Sequence, residues 1–219
     1  MGGFIDSKNK FIVDGKLTIK IHGIFKFELF QVPSVEQRWK GGNLGDELWK
    51  EDKSKDFTII VEKNEIKVHK LVVGARSDVF TRMFDSKMKE SLENKVELTD
   101  FSFEVVETAI KLVYECNFIS ALSIQNAMLL LQFLDKYNLS TSKEDVENYL
   151  INQISAKTVC TLTNCSRFTN SPKLNEKCLE FLKVCFAAEI DLYDTEILDK
   201  DIDLKDLQSS LCYTIVQNK

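Results

Sequence analysis

Between Ser102 and Glu115 the chain reads as a single helix that is apolar on two sides. One stripe holds Phe103, Val106, Ile110, Val113 and Tyr114; the other holds Val105, Ala109, Leu112 and Cys116. A surface helix needs only one apolar stripe, so a helix with two sits between packing layers. The flanking sequence supplies both layers. Upstream, DFTIIV (56–61) and EIKVHK (65–70) read as strands around a turn at Lys63-Asn64, where Asn tolerates positive φ. KVELTD (95–100) alternates, with Val96 and Leu98 inward, and LVVGARS and DVFTRMF (71–84) read as short helices. Downstream, the chain is helical from about residue 124. Ile124–Tyr137 is strongly apolar, and Ser142 with Asp145 reads as a capping box for a helix over Lys143–Ile154. Ser171-Pro172 opens a helix to about Ile190, and Leu204, Leu207, Leu211 and Ile215 form a last stripe over 204–216. The expected fold class is α+β.

The N-terminal part is different. Lys16–His22 alternates as a strand behind an Asp14-Gly15 hairpin signal. Two or three strands alone bury too little surface to fold, so residues 1–30 must pack on something else or end a domain that begins earlier. Residues 31–55 form a polar connector with Pro33, Gly41, Gly42 and Gly45, whose tail GDELWKEDKSK favours a short helix with Leu44, Leu48 and Trp49 on one side. The chain of 219 residues has only 8 Gly and 2 Pro, too few for a barrel or sandwich of many tight turns.

Composition narrows the function. Twenty-nine Lys and Arg against 34 Asp and Glu give a net charge of −5. Residues 189–206, with eight acids and two lysines, contribute −6 of it, so that stretch reads as a solvated acidic connector and the rest is near neutral. No Lys/Arg stripe marks a nucleic-acid surface. Two His, no nucleophile elbow and no phosphate loop at GGNLG argue against an enzyme and leave no catalytic residue to name. The six Cys contain no C-x-x-C pair, and the spacing of Cys160 and Cys165 does not suit zinc; buried, reduced thiols and no metal or cofactor are expected. The longest uncharged run, Cys116–Leu134, holds six Asn, Ser or Gln among 19 residues, so a buried helix behind a loop is expected rather than a membrane span.

Residues 56–115 carry a pattern that resembles the BTB/POZ domain: Asp56 before the first strand, the strand end Val68-His69-Lys70, the helix Ala75–Phe84 (ARSDVFTRMF) and the ending Leu112–Tyr114. The run Leu44–Trp49 looks like the lead-in of speckle-type POZ proteins. FIVDGKLTIKIHG looks like the final strands of a MATH domain, which precedes BTB in that group. The resemblance divides the chain into a truncated MATH remnant (1–30), a linker and dimer-contact lead-in (31–55), a BTB/POZ domain (56–140) with a three-stranded sheet and surrounding helices, 3-box/BACK-like helices (141–190), and an acidic connector with a C-terminal helix (191–219).

The resemblance implies a cytoplasmic or nuclear, dimeric substrate adaptor of a cullin-3 ubiquitin ligase that promotes proteasomal degradation. An alternative is a homo- or hetero-oligomerisation module, lacking its own substrate receptor, that regulates full-length MATH-BTB proteins. The cullin motif is Met88-Lys89-Glu90, with Phe84 and Tyr114 flanking it. An adaptable Met suits a pocket and a carboxylate fixes orientation. The dimer face is Leu44, Leu48, Trp49 and Val72, with Asp56 and Lys70 as a charged pair at its seam. His69 is, by the same resemblance, a buried structural residue. One departure stands out: the family tends to place Gly after the Tyr at position 114, where this chain has Glu115-Cys116-Asn117.

Overall fold

The computed structural model describes residues 12–13, 16–17, 37–86, 89–120 and 122–198. The chain divides into two units, Met1–Pro33 and Ser34–Lys219. In the first, β1 (Ile12–Val13) and β2 (Lys16–Leu17) pair antiparallel, Ile12 opposite Leu17 and Val13 opposite Lys16. That register closes a two-residue connection where the Asp14-Gly15 signal predicts a hairpin. The rest of the strand expected over Lys16–His22 lies outside the described residues.

The second unit begins with β3 (Gln37–Trp39) and α1 (Asn43–Lys50). β4 (Phe57–Val61) and β5 (Asn64–Val68) follow, then α2 (Lys70–Gly74), α3 (Asp78–Asp85), α4 (Lys89–Glu93) and β6 (Lys95–Leu98). The remaining elements are α5 (Phe103–Val113), β7 (Phe118–Ser120), α6 (Ile124–Lys136), α7 (Ser140–Ile151), α8 (Val159–Phe168), α9 (Pro172–Ala187) and a 3-10 turn at Thr195–Ile197.

The three-stranded sheet runs β5-β4-β6, with β4 antiparallel to β5 and parallel to β6. A parallel pair needs a crossover, and α2, α3 and α4 make it. Alternation buries Phe57, Ile59, Val61, Ile66, Val68, Val96 and Leu98 on the inner face. The hairpin turn falls one residue earlier than the sequence predicts. Glu62 and Lys63 take the positive φ, 49° and 69°, and Asn64 already pairs with Val61. Two left-handed residues match the twist of the strands they join, and the buried alternation of Ile59, Val61 and Ile66 sets the register.

Helix α5 occupies the sandwiched place its two stripes demand: Val105, Val106, Ala109, Ile110, Leu112 and Val113 are all buried. An aromatic column ties the layers together. Phe57 of β4 meets Phe84 of α3 edge-on at 4.7 Å, and Phe80 stacks on Tyr137 at 4.8 Å. Tyr137 meets Phe133 at 4.5 Å, and Phe133 meets Phe101 at 5.2 Å. Fully burying an aromatic of this size contributes about 1.5–3 kcal/mol.

Four helix ends explain the low glycine content. Glu115, Asn138, Asn170 and Glu189 take φ of 56°, 51°, 48° and 53° after α5, α6, α8 and α9. Each is followed by an amide that reaches back five residues: Cys116 N–H to Lys111 O, Leu139 to Leu134, Ser171 to Ser166 and Ile190 to Cys185. These are Schellman closures made without glycine. The one at Asn138 makes the α6–α7 connection so short that α7 starts at Ser140. Ser142 is therefore buried inside the helix and does not cap it, contrary to the capping box expected from the sequence.

Two further findings add to the sequence reading. The connector carries β3, which pairs antiparallel with β7, Trp39 opposite Phe118. Trp39 is buried 6.4 Å from the ring of Tyr149 on α7. The described part of the acidic stretch keeps its acids Glu189, Asp191, Asp194 and Glu196 in solvent, as the sequence reads, and is also pinned to the rest of the unit. Tyr193 N–H donates to Ala156 O, Asn164 reaches Ile197 O, and Leu192 and Leu198 pack on the core beside α8. The predicted helix over 204–216 lies outside the described residues.

Candidate interaction surfaces

His69 organises the first surface. It is the N-cap of α2, 8% exposed, and its backbone N–H donates to the Tyr114 hydroxyl at 2.8 Å. The same hydroxyl lies 2.7 Å from His69 Nδ1, so the Tyr114 O–H donates to Nδ1 and the imidazole proton sits on Nε2. Nε2 faces Ser54 Oγ at 2.9 Å, and the Ser54 hydroxyl donates to Glu51 Oε2. Glu51 is the C-cap residue of α1. The Ser54 hydroxyl, then the amides of Lys53 and Ser54, hold the Glu51 carboxyl below the usual range. One histidine thus joins the end of α1, the start of α2 and the end of α5.

Tyr114 is itself 4% exposed and meets Trp49 edge-on at 5.4 Å. Burial pushes its hydroxyl up to about 12. The sequence reading puts it on the rim of a docking surface; its hydroxyl is instead consumed by His69, and the side chain lies inside. Trp49, Leu48 and Val72 are half-buried against the core, whereas Leu44 is 69% exposed. Leu71 of α2 is 84% exposed, and the sequence reading did not single it out. Asp56 and Lys70 do meet, but not as a side-chain ion pair. Asp56 Oδ1 accepts the Lys70 backbone N–H at 2.8 Å, capping α2, and Lys70 Nζ turns to Asn94 Oδ1 and the ring of Phe57 at 5.7 Å. A free amide at a helix start outcompetes an exposed ion pair of about 0–1 kcal/mol.

The N-terminal end of α1 is fixed by close backbone approach. A Cβ on Gly41 would stand 1.7 Å from Glu115 O, and one on Gly45 2.1 Å from Tyr114 O. The Gly42 N–H donates to Glu115 O at 2.9 Å. Asp46 accepts from the Asn117 amide and side chain at 2.8 and 3.0 Å, and those bonds lower its carboxyl pKa. The residues that read as a linker are a tight helix–helix contact. Glu115, where the family tends to have Gly, bears the positive φ and pairs with Arg76.

The second surface lies along α3 and α4. Phe84 is half-buried on Phe57 and Phe80. Lys89 and Glu90 open α4, with Lys89 3.9 Å from Glu93 and Glu90 partly exposed. Ser91 Oγ donates to Phe84 O at 2.6 Å, anchoring α4 to α3. Leu92 is 75% exposed, and it too went unmarked in the sequence reading. Met88 lies outside the described residues. Among the described residues there is no group of three His, Cys, Asp or Glu able to hold a metal, and no helix long and apolar enough to cross a membrane. Cys165 and Cys178 are driven by burial up to about 11 and about 12, which makes them inert as nucleophiles.

Leu44, Leu71 and Leu92 thus stand in solvent on the short helices of a unit built on the three-stranded sheet. Residues 46–154 match the family model described as the BTB/POZ domain, and the chain carries a BTB/POZ domain, a module of protein interaction and oligomerisation. It is 31% identical over 138 residues to TD and POZ domain-containing protein 3 of Mus musculus, covering 63% of this chain and 38% of that protein. To TD and POZ domain-containing protein 1 of Mus musculus it is 28% identical over 144 residues, 66% of this chain and 39% of that protein. The chain thus spans less than two fifths of the length of these curated relatives. Among solved structures it is similar to the BTB domain of zebrafish PATZ1, at 18% identity and a TM-score of 0.41, covering 51% of this chain and 87% of that one.

Proposed function

We propose that this protein is a BTB adaptor subunit. It pairs with a second BTB domain through α1 and α2, and it docks cullin-3 through the segment Phe84–Glu90 as part of a ubiquitin ligase in the cytoplasm or nucleus. The observation that carries the reading is the placement of Leu44 and Leu71 in solvent on two helices joined through one buried histidine. Large apolar side chains held rigidly in water are what an interface core is made from. In the pairing face, Leu44, Leu48, Trp49, Leu71 and Val72 supply the apolar surface, and the Asp56–Lys70 cap fixes α2.

On the other flank, Met88 is the pocket anchor, Lys89 and Glu90 set orientation, and Phe84 and Leu92 line the approach. Tyr114 acts from inside, by holding α1 and α2 together. The helices over 141–190 extend the docking surface as 3-box/BACK-like helices, and residues 1–30 resemble in sequence the closing strands of a MATH domain. The chain performs no chemistry of its own in this reading; ubiquitin transfer belongs to the ligase partners.

Calorimetry with the cullin-3 N-terminal domain tests the docking. The wild-type chain is expected to bind, and Met88→Asp to weaken binding by at least about 2 kcal/mol, or about 30-fold. No heat from the wild-type chain at tens of micromolar refutes cullin docking and leaves only the pairing role.

A further inference from the structure

Helix α1 is eight residues long, too short to persist in water by itself. Lys55 reaches over its C-terminal end. Lys55 has a side chain only 5% exposed. Its Nζ donates to Trp49 O at 2.6 Å and to Asp52 Oδ1 at 2.8 Å, and stands 5.0 Å from the centre of the Trp49 ring. The Trp49 carbonyl is one of the last four of α1, which have no partner inside the helix. A cation on those carbonyls also complements the negative end of the helix dipole. Lys111 Nζ of α5 lies 5.7 Å from the same ring, so Trp49 is flanked by two ammonium groups and by Tyr114. A lysine so nearly buried is tolerable only because carbonyl, carboxylate and π-face together replace its water.

We infer that Lys55 is a positioning residue: it latches α1 and Trp49 in the docked position, and thereby sets the strength of the pairing proposed above. The latch rests on the pairing reading only for its consequence, because its geometry belongs to the single chain. When Lys55 lets go, α1 keeps its glycine contacts and the Asp46–Asn117 bonds at one end, but its other end swings on Glu51. The apolar residues Leu48 and Trp49 then lose their fixed orientation, and with it their preorganisation for a partner. The opening is local, because β4 and β5 are held by their own ladder and core.

Two measurements on the full chain test this: amide hydrogen exchange read by peptide mass spectrometry, and dimer affinity by sedimentation equilibrium. The variants are Lys55→Met, which keeps the stem but removes the charge, and Lys50→Met, an exposed lysine on the same helix, as control. In Lys55→Met, exchange over residues 43–50 is expected to accelerate at least 10-fold, with exchange over 57–61 unchanged, and pairing to weaken at least 10-fold. Lys50→Met is expected to change neither. Unaltered exchange in α1, or an equal acceleration in α1 and β4, overturns the positioning role. Faster α1 exchange with unweakened pairing overturns the link between latch and pairing. A wild-type chain that never pairs overturns the pairing reading instead, while the α1 exchange still decides the latch.

Discussion

Removing one oxygen atom probes the node on which both helices of the pairing face depend. Tyr114→Phe keeps the ring, and with it the edge-on contact to Trp49 at 5.4 Å. It deletes the acceptor of the His69 N–H at 2.8 Å and the donor to His69 Nδ1 at 2.7 Å. His69 is 8% exposed, so two polar groups lose their partner away from water. Each unsatisfied buried group costs about 1–3 kcal/mol, and the variant recovers part of this by no longer burying a hydroxyl. The net loss is about 2 kcal/mol. For a domain of this size, about 2–4 °C of Tm accompanies each kcal/mol, so Tm falls by about 4–8 °C. Urea unfolding at pH 7, followed by tryptophan fluorescence, measures it, with the slope m unchanged. A cycle with His69→Ala isolates the coupling, expected at about 1 kcal/mol or more because the two residues share both bonds. A loss under about 0.5 kcal/mol, or additive single and double variants, refutes the assignment of this network.

Three other outcomes follow from the same geometry. Gly45→Ala sets a methyl against the Tyr114 carbonyl, where a Cβ comes to 2.1 Å, and is expected to cost at least about 2 kcal/mol in urea unfolding, whereas Gly42→Ala, with nothing within 4 Å, costs much less. Glu115→Gly relieves a left-handed residue at φ 56° and forfeits an exposed ion pair to Arg76; in an Arg76→Ala background it stabilises by about 1 kcal/mol, and in the wild-type background by less. Stability against pH has a plateau. The thiols of Cys116 and Cys165 are raised to about 11 and that of Cys178 to about 12 from 9.0, and the Tyr114 hydroxyl to about 12 from 10.0. A raised folded pKa gives stability that is whole below the unfolded value, so it is lost as pH climbs from about 9 to about 12. The lowered carboxyls of Asp46, Glu51 and Asp100 act oppositely, and their share is lost as pH falls below about 4. Equilibrium unfolding from pH 3 to 11 checks both limits.

What could be read from residues alone divides along physical lines. Long periodic segments were legible: the two stripes of α5 dictate a sandwiched helix, and Ser171-Pro172 marks the start of α9. The β3–β7 pairing was not, because strands of three residues carry no period and their partners are far apart in the chain. The capping box at Ser142 misled because the closure at Asn138 moved the helix start upstream. The interaction surfaces were half legible. The Leu44–Trp49 helix was visible in its pattern, but the exposure of Leu71 and Leu92 was not, since α2 and α4 are five residues each and too short to fix which face is inward. Tyr114 shows the converse limit: an aromatic at a helix end reads equally as rim or core until its hydroxyl partner is known. The charge run at 189–206 reads as solvated chain, and its described acids are exposed, but the packing of Leu192 and Leu198 on the core was not legible from two isolated leucines.

Sedimentation equilibrium of the chain, alone and with the cullin-3 N-terminal domain, decides whether it pairs and docks cullin-3. The chain alone is expected to sediment at twice its 25.2 kDa at micromolar concentration and to take up one cullin domain per protomer, and Leu71→Glu to halve the mass without abolishing cullin uptake. A chain that stays at 25.2 kDa and takes up no cullin contradicts both expectations.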